Sequence, residues 1–425
     1  MLSLKFFDLA TFCIFFNKFE FNNLNLSPLI LAIPVYIILI GIELCYQVYK
    51  KEVHYRIGDA LTNISCGIAE QVTGLYFKLF SIFIYTISFD YLQLFDINKS
   101  WLSFVLLFIA TDFCYYWAHR MSHQVNLFWN GHAVHHQSED YNLSVALRQG
   151  AFQTFFTAPF FIPLAIIGFP PEFFLFVSAF VTLYQFWIHT ENIEKMGWFE
   201  TVFNTPSHHR VHHGIDPKYI DKNHAGVFII WDKMFGTFQE EEEKPTYGVT
   251  IPLNSLNPVK AQIVPFKLMF SALEKGNGLV DKLRIMLNPP GWFPDYAGGF
   301  KKPSEIDKSK YFKFEVKADK MLNGYGLVQY IIALALTSLF LFFGATLSTI
   351  YVMVGITGIL VLISIIGALF EQKRWSFYAE IFRLMAMPII LYLFIPNQLL
   401  VLGGAMGFSI VSLFSLFLLK SKFIN

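Results

Sequence analysis

The sequence predicts an all-α, polytopic membrane protein with about nine transmembrane helices and a histidine-rich cap, and three observations favour this fold class. The chain has 425 residues, of which 55% are hydrophobic and 15% are charged, whereas an ordinary soluble domain carries about 25% charged residues. Long apolar runs recur along it, and eleven of its twelve histidines fall between His119 and His224. The composition excludes a disordered chain and disfavours a soluble globular protein.

The apolar runs account for the predicted transmembrane helices. A span needs about 20 mostly apolar residues. Nine runs meet or approach this length, the second of them only in its later half: 28–48, 64–92, 101–118, 151–169, 172–189, 327–346, 348–370, 376–395 and 398–419. Pro170 and Pro171 interrupt the sequence between two runs, which predicts a hairpin of two helices turning at the far membrane face. The first 16 residues are predicted to form an interfacial helix.

The distribution of basic residues predicts the orientation of the chain. Of the 32 Lys and Arg residues, 18 lie between residues 191 and 325, whereas the turns expected on the opposite side hold one cation, Lys99. Because basic loops stay in the cytoplasm, the histidines are expected on the cytoplasmic side of an integral, multi-pass membrane protein. A net charge of +1 gives no reason to expect nucleic acid as a partner.

The same pattern divides the chain into three regions. Residues 1–245 are expected to form a membrane-embedded domain that carries the histidine cap. Residues 246–325 are predicted to form a cytoplasmic amphipathic segment, because they are polar but contain apolar stretches. Residues 326–425 are expected to form a C-terminal membrane domain of four helices, since four apolar runs follow one another there.

The spacing of the histidines predicts a site for two metal ions. Histidines three or four residues apart share one face of a helix, with Cβ atoms about 5–6 Å apart. Imidazole suits Zn, Cu, Fe and Ni, and one tetrahedral ion takes three or four ligands, so nine well-spaced histidines suffice for two ions. The candidate metal ligands are His119, His123, His132, His135, His136, His189, His209, His212 and His213, together with His208, for which a ligand role and a neighbouring role both stay open.

The order of these histidines resembles that of the membrane fatty acid hydroxylase/sterol desaturase superfamily. The chain has H-x-x-x-H, then H-x-x-H-H, a later single histidine, and a second H-x-x-H-H. The supporting strings are TDFCYYWAHR at 111–120, SHHRVHHG at 207–214 and WDKMFGTF at 231–238. Within the superfamily the chain looks most like the branch that acts on alkylglycerols. Many members place a further histidine where this chain has Gln185.

The resemblance implies a chemistry, a cofactor and a substrate. It implies two iron ions (Fe2+/Fe3+) that activate O2 to hydroxylate a C–H bond of a lipid taken from the bilayer. On an alkylglycerol, hydroxylation of the carbon next to the ether oxygen would give a hemiacetal that collapses to a fatty aldehyde and glycerol. The reductant implied for this branch is tetrahydrobiopterin, for which the sequence shows no signature. An electron-transfer protein stays open as the alternative.

Two other functions stay open from the residues alone. One is a sterol or fatty acyl desaturase or hydroxylase, which would use the same metal site on a different lipid. The other is a membrane metal transporter or sensor. Transport is disfavoured because polar residues are sparse deep within the apolar runs and the histidines gather at the ends of those runs.

Three polar residues are candidate catalytic residues beside the metal ions. Asp112 is an acid within an apolar run, two helical turns before His119, and is expected to orient that ligand. Asn142 is expected to bond a metal-bound water or the lipid headgroup, and Gln185 to hold such a water or leave a position open. Further supporting candidates are Glu139, Asp140, Glu191, His224 and Asp232, whereas Arg148 and Arg210 are interpreted as interfacial anchors in preference to site residues.

Overall fold

The structure is a computed structural model that describes residues 28–52, 54–344, 347–394 and 398–424. The predicted interfacial helix over the first 16 residues lies outside these ranges. Within them the secondary structure is helical apart from two isolated β-bridges, which confirms the all-α class. The helices α1 to α16, in chain order, are Pro28–Lys50, Ile57–Leu92, Trp101–Gln124, Asn126–His136, Gln153–Thr157, Ile162–Ile167, Pro171–Trp187, Pro206–His212, Ile230–Met234, Pro258–Leu273, Leu279–Leu287, Lys320–Phe343, Thr349–Phe370, Arg374–Phe394, Leu399–Leu418 and Ser421–Ile424.

Five of the described helices are long and apolar enough to cross a membrane, namely α3, α12, α13, α14 and α15. Helix α2 adds a sixth if its two halves, Ile57–Gly74 and Tyr76–Leu92, which meet at a bend of 53°, count as one span. The protein is therefore a multi-pass membrane protein, and length and composition support five or six of the nine predicted spans. The predicted hairpin before His189 has short arms: Gln153–Ile167, in which a 3-10 turn joins α5 to α6, and the 17-residue α7.

The turn of this hairpin forms at the predicted proline pair. Helix α6 ends at Ile167 because Gly168 has a φ of +116°, a left-handed conformation that glycine adopts without strain. Pro171 begins α7 at the first helical position, where its missing N–H costs no hydrogen bond. The Tyr85 hydroxyl donates to the Phe169 carbonyl at 3.0 Å and fixes the turn against α2. His189 therefore lies at the opposite end of α7 from the turn.

The C-terminal helices share a hydrophobic core with the histidine-bearing part of the chain. Ile68 and Val72 of α2 and Ile359 and Ile363 of α13 belong to one buried cluster. Packing between helices and polar contacts, more than water exclusion, hold helices together in a bilayer. A buried ion pair in α14 supplies such contacts, since the Arg383 guanidinium lies 2.7 Å from the Glu380 carboxylate, which also accepts from the Tyr325 hydroxyl of α12 at 2.6 Å.

Four segments bring histidines to one end of the helix bundle. Helix α3 carries two in its last two turns and stops at Val125, whose extended backbone lets α4 fold back against α3. Helix α4 ends with three histidines. Helix α7 ends at Trp187, two residues before His189, and α8 carries the remaining cluster. The helix ends thus place all the clusters close together in space.

Candidate metal centre

Nine histidines form two adjacent groups of buried side chains at this end of the bundle. Within each group the ligand nitrogen atoms all lie within 4.8 Å of one another, and each of the nine residues is at most 6% exposed. The first group consists of His119, His123, His132, His136 and His212. The second group consists of His135, His189, His209 and His213.

The two helical clusters each contribute to both groups. On α4, His132 and His136 are one turn apart and join the first group, whereas His135 turns to the second. The cluster at α8 supplies one ligand to the first group and two to the second. His212 joins the first group, whereas His209 and His213, one turn apart, join the second. The three-and-four spacing therefore lets one helix face supply ligands to two neighbouring positions.

Backbone carbonyl groups fix the tautomer of four of these imidazoles. A carbonyl oxygen only accepts hydrogen bonds, so a ring nitrogen bonded to it donates its N–H, and the other nitrogen of the neutral ring carries a lone pair. The four Nδ1 donors and their acceptors are His119 with the His224 carbonyl (2.7 Å), His135 with Arg148 (2.8 Å), His189 with Gln185 (2.7 Å) and His212 with Lys222 (2.9 Å). Each of these four Nε2 atoms is thus prepared to bind a cation.

Nitrogen lone pairs of separate histidines face one another. Whether a metal ion would satisfy these lone pairs decides whether the donor set fits metal ions. The Nε2 atoms of His189 and His135 lie 3.2 Å apart, although both rings have already committed their N–H to a carbonyl. Among the described residues, the buried Nε2 atoms of His123, His212 and His213 have no hydrogen-bond partner. A cation in each group would relieve this repulsion and satisfy these atoms. The donor set therefore fits two imidazole-binding metal ions.

Burial keeps these ligands in the neutral form that metals bind. Burial lowers the pKa of His135 to about 4. Burial first, and then repulsion from neighbouring imidazolium groups, lowers the pKa well below the usual value in His132, His136, His189, His209, His212 and His213. Protons therefore compete weakly with metal ions at these rings near neutral pH.

Asp112 is fully buried but does not bond to His119, contrary to the predicted role. Its carboxylate accepts from the backbone N–H groups of Val227 (2.7 Å) and Phe228 (2.9 Å) and from the Trp231 indole N–H (3.0 Å). Two helical turns separate Asp112 and His119 by about 10 Å along the axis, and the His224 carbonyl already occupies the His119 Nδ1 atom. Asp112 therefore holds the 227–231 segment against α3.

Asn142 and Gln185 also act away from the metal positions. The Asn142 side chain donates to the His54 carbonyl at 2.9 Å and accepts from the Ser144 backbone N–H at 3.1 Å, which closes the loop after α4. The Gln185 side chain donates to the Val181 carbonyl in its own helix at 3.0 Å. The Gln185 residue reaches the site through its main chain, because its carbonyl orients His189.

His208 lies outside both groups, and His224 lies beside the first group. The His208 ring packs edge-on against Phe238, with 5.4 Å between ring centroids. The His224 ring centroid is 5.1 Å from that of His123, and its Nε2 atom bonds to the Asp221 carbonyl at 3.1 Å. The structure therefore makes His208 a neighbour of the site, whereas His224 supports it through its own carbonyl.

A strained loop presents the carbonyls that orient the first group. Asp221 and Asn223 have φ values of +57° and +54°, which L-residues rarely adopt. Asp232, which is fully buried, accepts from the backbone N–H groups of His224 and Ala225, each at 2.8 Å. Burial raises the pKa of Asp232 to about 6. Asp232 thus fixes the loop whose carbonyl holds His119.

The other predicted acids bond elsewhere. The Asp140 carboxylate lies 2.9 Å from the Arg56 guanidinium, and Glu191 pairs with Lys244 at 2.7 Å. Glu139 accepts from the backbone N–H of Phe314. These bonds fasten neighbouring segments together without contacting a ring of either group.

The predicted role of Arg148 as an interfacial anchor is wrong, because the residue is buried inside the protein. The residue is 1% exposed, and its guanidinium donates to Val134, Asn63 and Gln137 at 2.7–2.9 Å. Its carbonyl accepts from His135. Arg210 is buried as well, at 7% exposure, and pairs with Glu241 at 2.7 Å.

Glu43 is a supporting residue that the sequence reasoning missed. This buried acid of α1 accepts from the Leu143 N–H at 2.8 Å and the Thr190 hydroxyl at 2.5 Å, and also from the Tyr55 hydroxyl. It therefore joins α1 to the residue after His189 and to the loop after α4. The signal was available, because an acid in an apolar run is costly unless it has a function.

The fold and the site together define a class of protein: a membrane protein with two adjacent all-histidine metal positions at the ends of its helices. Comparison with known proteins agrees with this class. Residues 104–237, which include both histidine groups, match the fatty acid hydroxylase family. No solved structure gives a significant match to the chain.

The curated relatives identify the family more closely. The chain is 37% identical to alkylglycerol monooxygenase of Homo sapiens over 384 residues, covering 89% of this chain and 86% of the human protein. It is 34% identical to alkylglycerol monooxygenase of Caenorhabditis elegans, covering 78% of this chain and 70% of that protein. Ornithine lipid hydroxylase OlsE of Rhizobium tropici is 30% identical over 32% of this chain and 41% of its own length.

The chain belongs to the alkylglycerol monooxygenase family, a branch of the fatty acid hydroxylases. The resemblance predicted from the histidine order is confirmed. The chain is accordingly an enzyme of the lipid monooxygenase class. This family assignment favours an enzyme over the alternative of a metal transporter or sensor.

Proposed function

We propose that this protein is a di-iron monooxygenase that uses O2 to hydroxylate the ether-adjacent carbon of an alkylglycerol, giving a fatty aldehyde and glycerol. The observation that carries the proposal is the pair of adjacent, buried, all-histidine groups. The 37% identity to human alkylglycerol monooxygenase over most of both chains supports the choice of lipid.

In this proposal each histidine group holds one iron ion. When bound, the iron pair would supply the activation of O2 and the transfer of one oxygen atom to the lipid carbon. The chain's own contribution begins with exclusion of water, because the nine ligands are buried. It continues with orientation, because carbonyl groups hold four rings from behind and prevent them from rotating.

Trp129 marks a boundary between the first group and its surroundings. This half-buried residue packs on His123 and His136, with ring centroids 5.1 Å and 5.5 Å apart. A partly exposed aromatic ring that packs on the candidate ligands suits contact with an alkyl chain. In the proposal, the lipid chain passes Trp129 on its way from the bilayer.

The remaining parts of the proposal concern location and reductant. We place the site on the cytoplasmic side, because of the charge asymmetry of the sequence, and the hydroxylase domain within residues 1–245. The C-terminal domain, residues 326–425, then supports this domain through the core it shares with α2. Tetrahydrobiopterin or an electron-transfer protein would supply the electrons that O2 requires.

Hydroxylation of a different lipid is the second candidate. Its support is the match of about a third of the chain to an ornithine lipid hydroxylase, and weaker matches at 24% identity to sterol desaturases such as that of Gibberella zeae. These relatives match about a third of the chain, whereas human alkylglycerol monooxygenase matches 89% of it. Full-length similarity therefore favours the alkylglycerol.

The experiment uses the full chain in nanodiscs, loaded with Fe2+ and supplied with tetrahydrobiopterin, O2 and an alkylglycerol. The expected result is about two bound iron ions per chain, as two ligand groups require, and fatty aldehyde that forms only in the presence of O2. Aldehyde is trapped as an oxime and quantified by mass spectrometry. Formation of a hydroxylated product from ornithine lipids or sterols, with none from the ether lipid, would refute the assignment of the substrate.

Matched histidine variants test the metal centre itself. His135→Ala removes a ligand of the second group and should lower both bound iron and aldehyde formation. His208→Ala is the control, because it removes a buried histidine next in sequence to a ligand but outside both groups. Equal loss of iron in the two variants would contradict the assigned ligand sets.

A further inference from the structure

A pair of helices lies across the ends of several membrane helices without being part of a span. We call residues 258–287, which comprise α10, α11 and the turn between them, the strap. Immediately before it, the Leu256 N–H donates to the Glu371 carboxylate at 2.6 Å, just beyond the end of α13. The Leu256 carbonyl accepts from the Thr62 hydroxyl of α2 at 3.0 Å. The strap therefore starts at the ends of two membrane helices.

Two further contacts hold the strap at the same level. The Gln262 side chain of α10 accepts from the Ala151 N–H at 2.9 Å, where the α5–α6 arm of the hairpin begins. Beyond α11, the Asn288 carbonyl accepts from the Asn126 N–H at 3.0 Å, two residues after α3 ends. The strap is thus fastened at both ends and in the middle to the points where membrane helices end. These contacts place the strap level with the ends of α2, α3 and α13.

The outer surface of the strap is apolar, although it lies outside the spans. On α11, Leu279, Leu283 and Leu287 follow at four-residue intervals and share one helix face. The exposed apolar residues of the strap are Ile263 (56%), Leu268 (41%), Phe270 (59%), Leu279 (73%), Val280 (62%), Leu283 (46%) and Leu287 (60%). A contiguous apolar surface of this kind needs a cover of lipid or protein.

The charge of the strap is positive around this apolar surface. Its basic residues outnumber its acidic ones by five to two: Lys260, Lys267, Lys275, Lys282 and Arg284 against Glu274 and Asp281. The Asp281 carboxylate is already bonded to the Tyr296 hydroxyl. Exposed basic residues that flank an apolar helix face are typical of helices lying in the headgroup region of an anionic leaflet.

We infer that the strap is a membrane-surface element, with its apolar face inserted into the leaflet on the histidine side and its basic residues bound to anionic phospholipid headgroups. The fastening points set its depth, the leucine row provides insertion, and the positive charge selects the lipid. The strap also touches the histidine-bearing helix, because the Asn130 amide of α4 contacts the Met269 sulfur of α10 at 2.8 Å. The inserted strap brings the leaflet surface beside α4.

Photocrosslinking of the full chain in lipid nanodiscs tests this inference. Benzoylphenylalanine replaces Leu283 in one variant and Leu287 in a second, and Lys310 in a matched control, which is exposed but lies in a polar segment. We expect at least about fivefold more phospholipid adducts at the two leucine positions than at Lys310, and a further several-fold rise when phosphatidylserine is added to phosphatidylcholine. The double change Lys282→Glu and Arg284→Glu should abolish that further rise.

The inference is overturned if both leucine probes form no more lipid adducts than the Lys310 probe, or if they crosslink to protein instead. It is also overturned if phosphatidylserine leaves the yield unchanged, since charge would then play no part. Melting temperatures of the variants check that each chain is folded. The assay needs neither metal nor turnover, so its failure would leave the proposed reaction untouched.

Discussion

Arg148 provides the most direct test of how the second histidine group is held. Its guanidinium is buried and donates to the Val134 carbonyl (2.7 Å) and to the side chains of Asn63 and Gln137 (both 2.9 Å). Its own carbonyl accepts from His135. Arg148→Met keeps much of the volume but removes all three donors, so the end of α4 loses the contacts that fix it next to two ligands.

The expected cost can be worked from these bonds. A hydrogen bond from a charged donor contributes about 1.5–3 kcal/mol, and each buried acceptor left unpaired costs about 1–3 kcal/mol. Because the three bonds form one network, their losses do not add, and we expect unfolding to become about 3–5 kcal/mol easier. With an unfolding entropy of about 2.1 cal/mol/K per residue, a chain of 425 residues shifts by about 1 °C per kcal/mol, so the apparent melting temperature should fall by about 3–6 °C. Arg148→Lys should be intermediate, because one ammonium group cannot reach all three acceptors.

Thermal melting in nanodiscs and metal analysis by mass spectrometry measure the two effects. Arg374→Met is the matched control, since Arg374 is exposed and the same atoms are removed there. We expect Arg148→Met to lose metal from the second group more than from the first, whereas the control keeps both. An unchanged melting temperature and full metal content in Arg148→Met would refute the claim that this residue holds the site.

Three other predictions follow from the geometry. His212→Ala and His213→Ala should each lower bound metal from about two ions towards one, because the two residues belong to different groups. The metal content is counted by mass spectrometry, and loss of both ions in each variant would show that the groups do not bind independently. As the pH falls, metal should stay bound at the pH where a free imidazole becomes protonated and should be released only towards about pH 4, because burial lowers the pKa of His135 to about 4. Release of metal near pH 6.5 in a pH titration would contradict this prediction. Asp112→Asn keeps one acceptor oxygen for three donors, so the protein should lose about 1–3 kcal/mol of stability while iron stays bound. Loss of iron as complete as in His119→Ala would mean that Asp112 acts on the ligand directly.

The role of a particular polar residue was harder to predict than the histidine site itself. Asp112 lies on the same side of α3 as His119, and the sequence could not reveal that the His224 carbonyl, more than a hundred residues later, would take the ligand's Nδ1 atom. Arg148 looks like any cation near a membrane end until the structure shows that it is buried. Gln185 acts through its carbonyl, and a main-chain role is independent of side-chain identity.

The short hairpin arms show a similar limit. Residues 151–169 are apolar enough to predict a span, but the helix tightens into a 3-10 turn at Ala158–Phe161 between α5 and α6, with Pro159 in this turn and Pro163 just after it, and it covers only Gln153–Ile167. Proline in a helix interior removes a hydrogen bond and clashes with the preceding turn. Hydropathy measures only the preference for lipid, and so it does not report how much of such a segment forms regular α-helix.

The sequence by itself determined the helical membrane class, the turn at the proline pair and the set of histidines, because hydropathy, proline geometry and helical spacing are local properties. The tertiary structure alone decided how those histidines divide into two groups and which carbonyl orients each ring. That division depends on contacts between segments far apart in the chain. A carbonyl is present at every residue, so only folding selects the one that reaches a given imidazole.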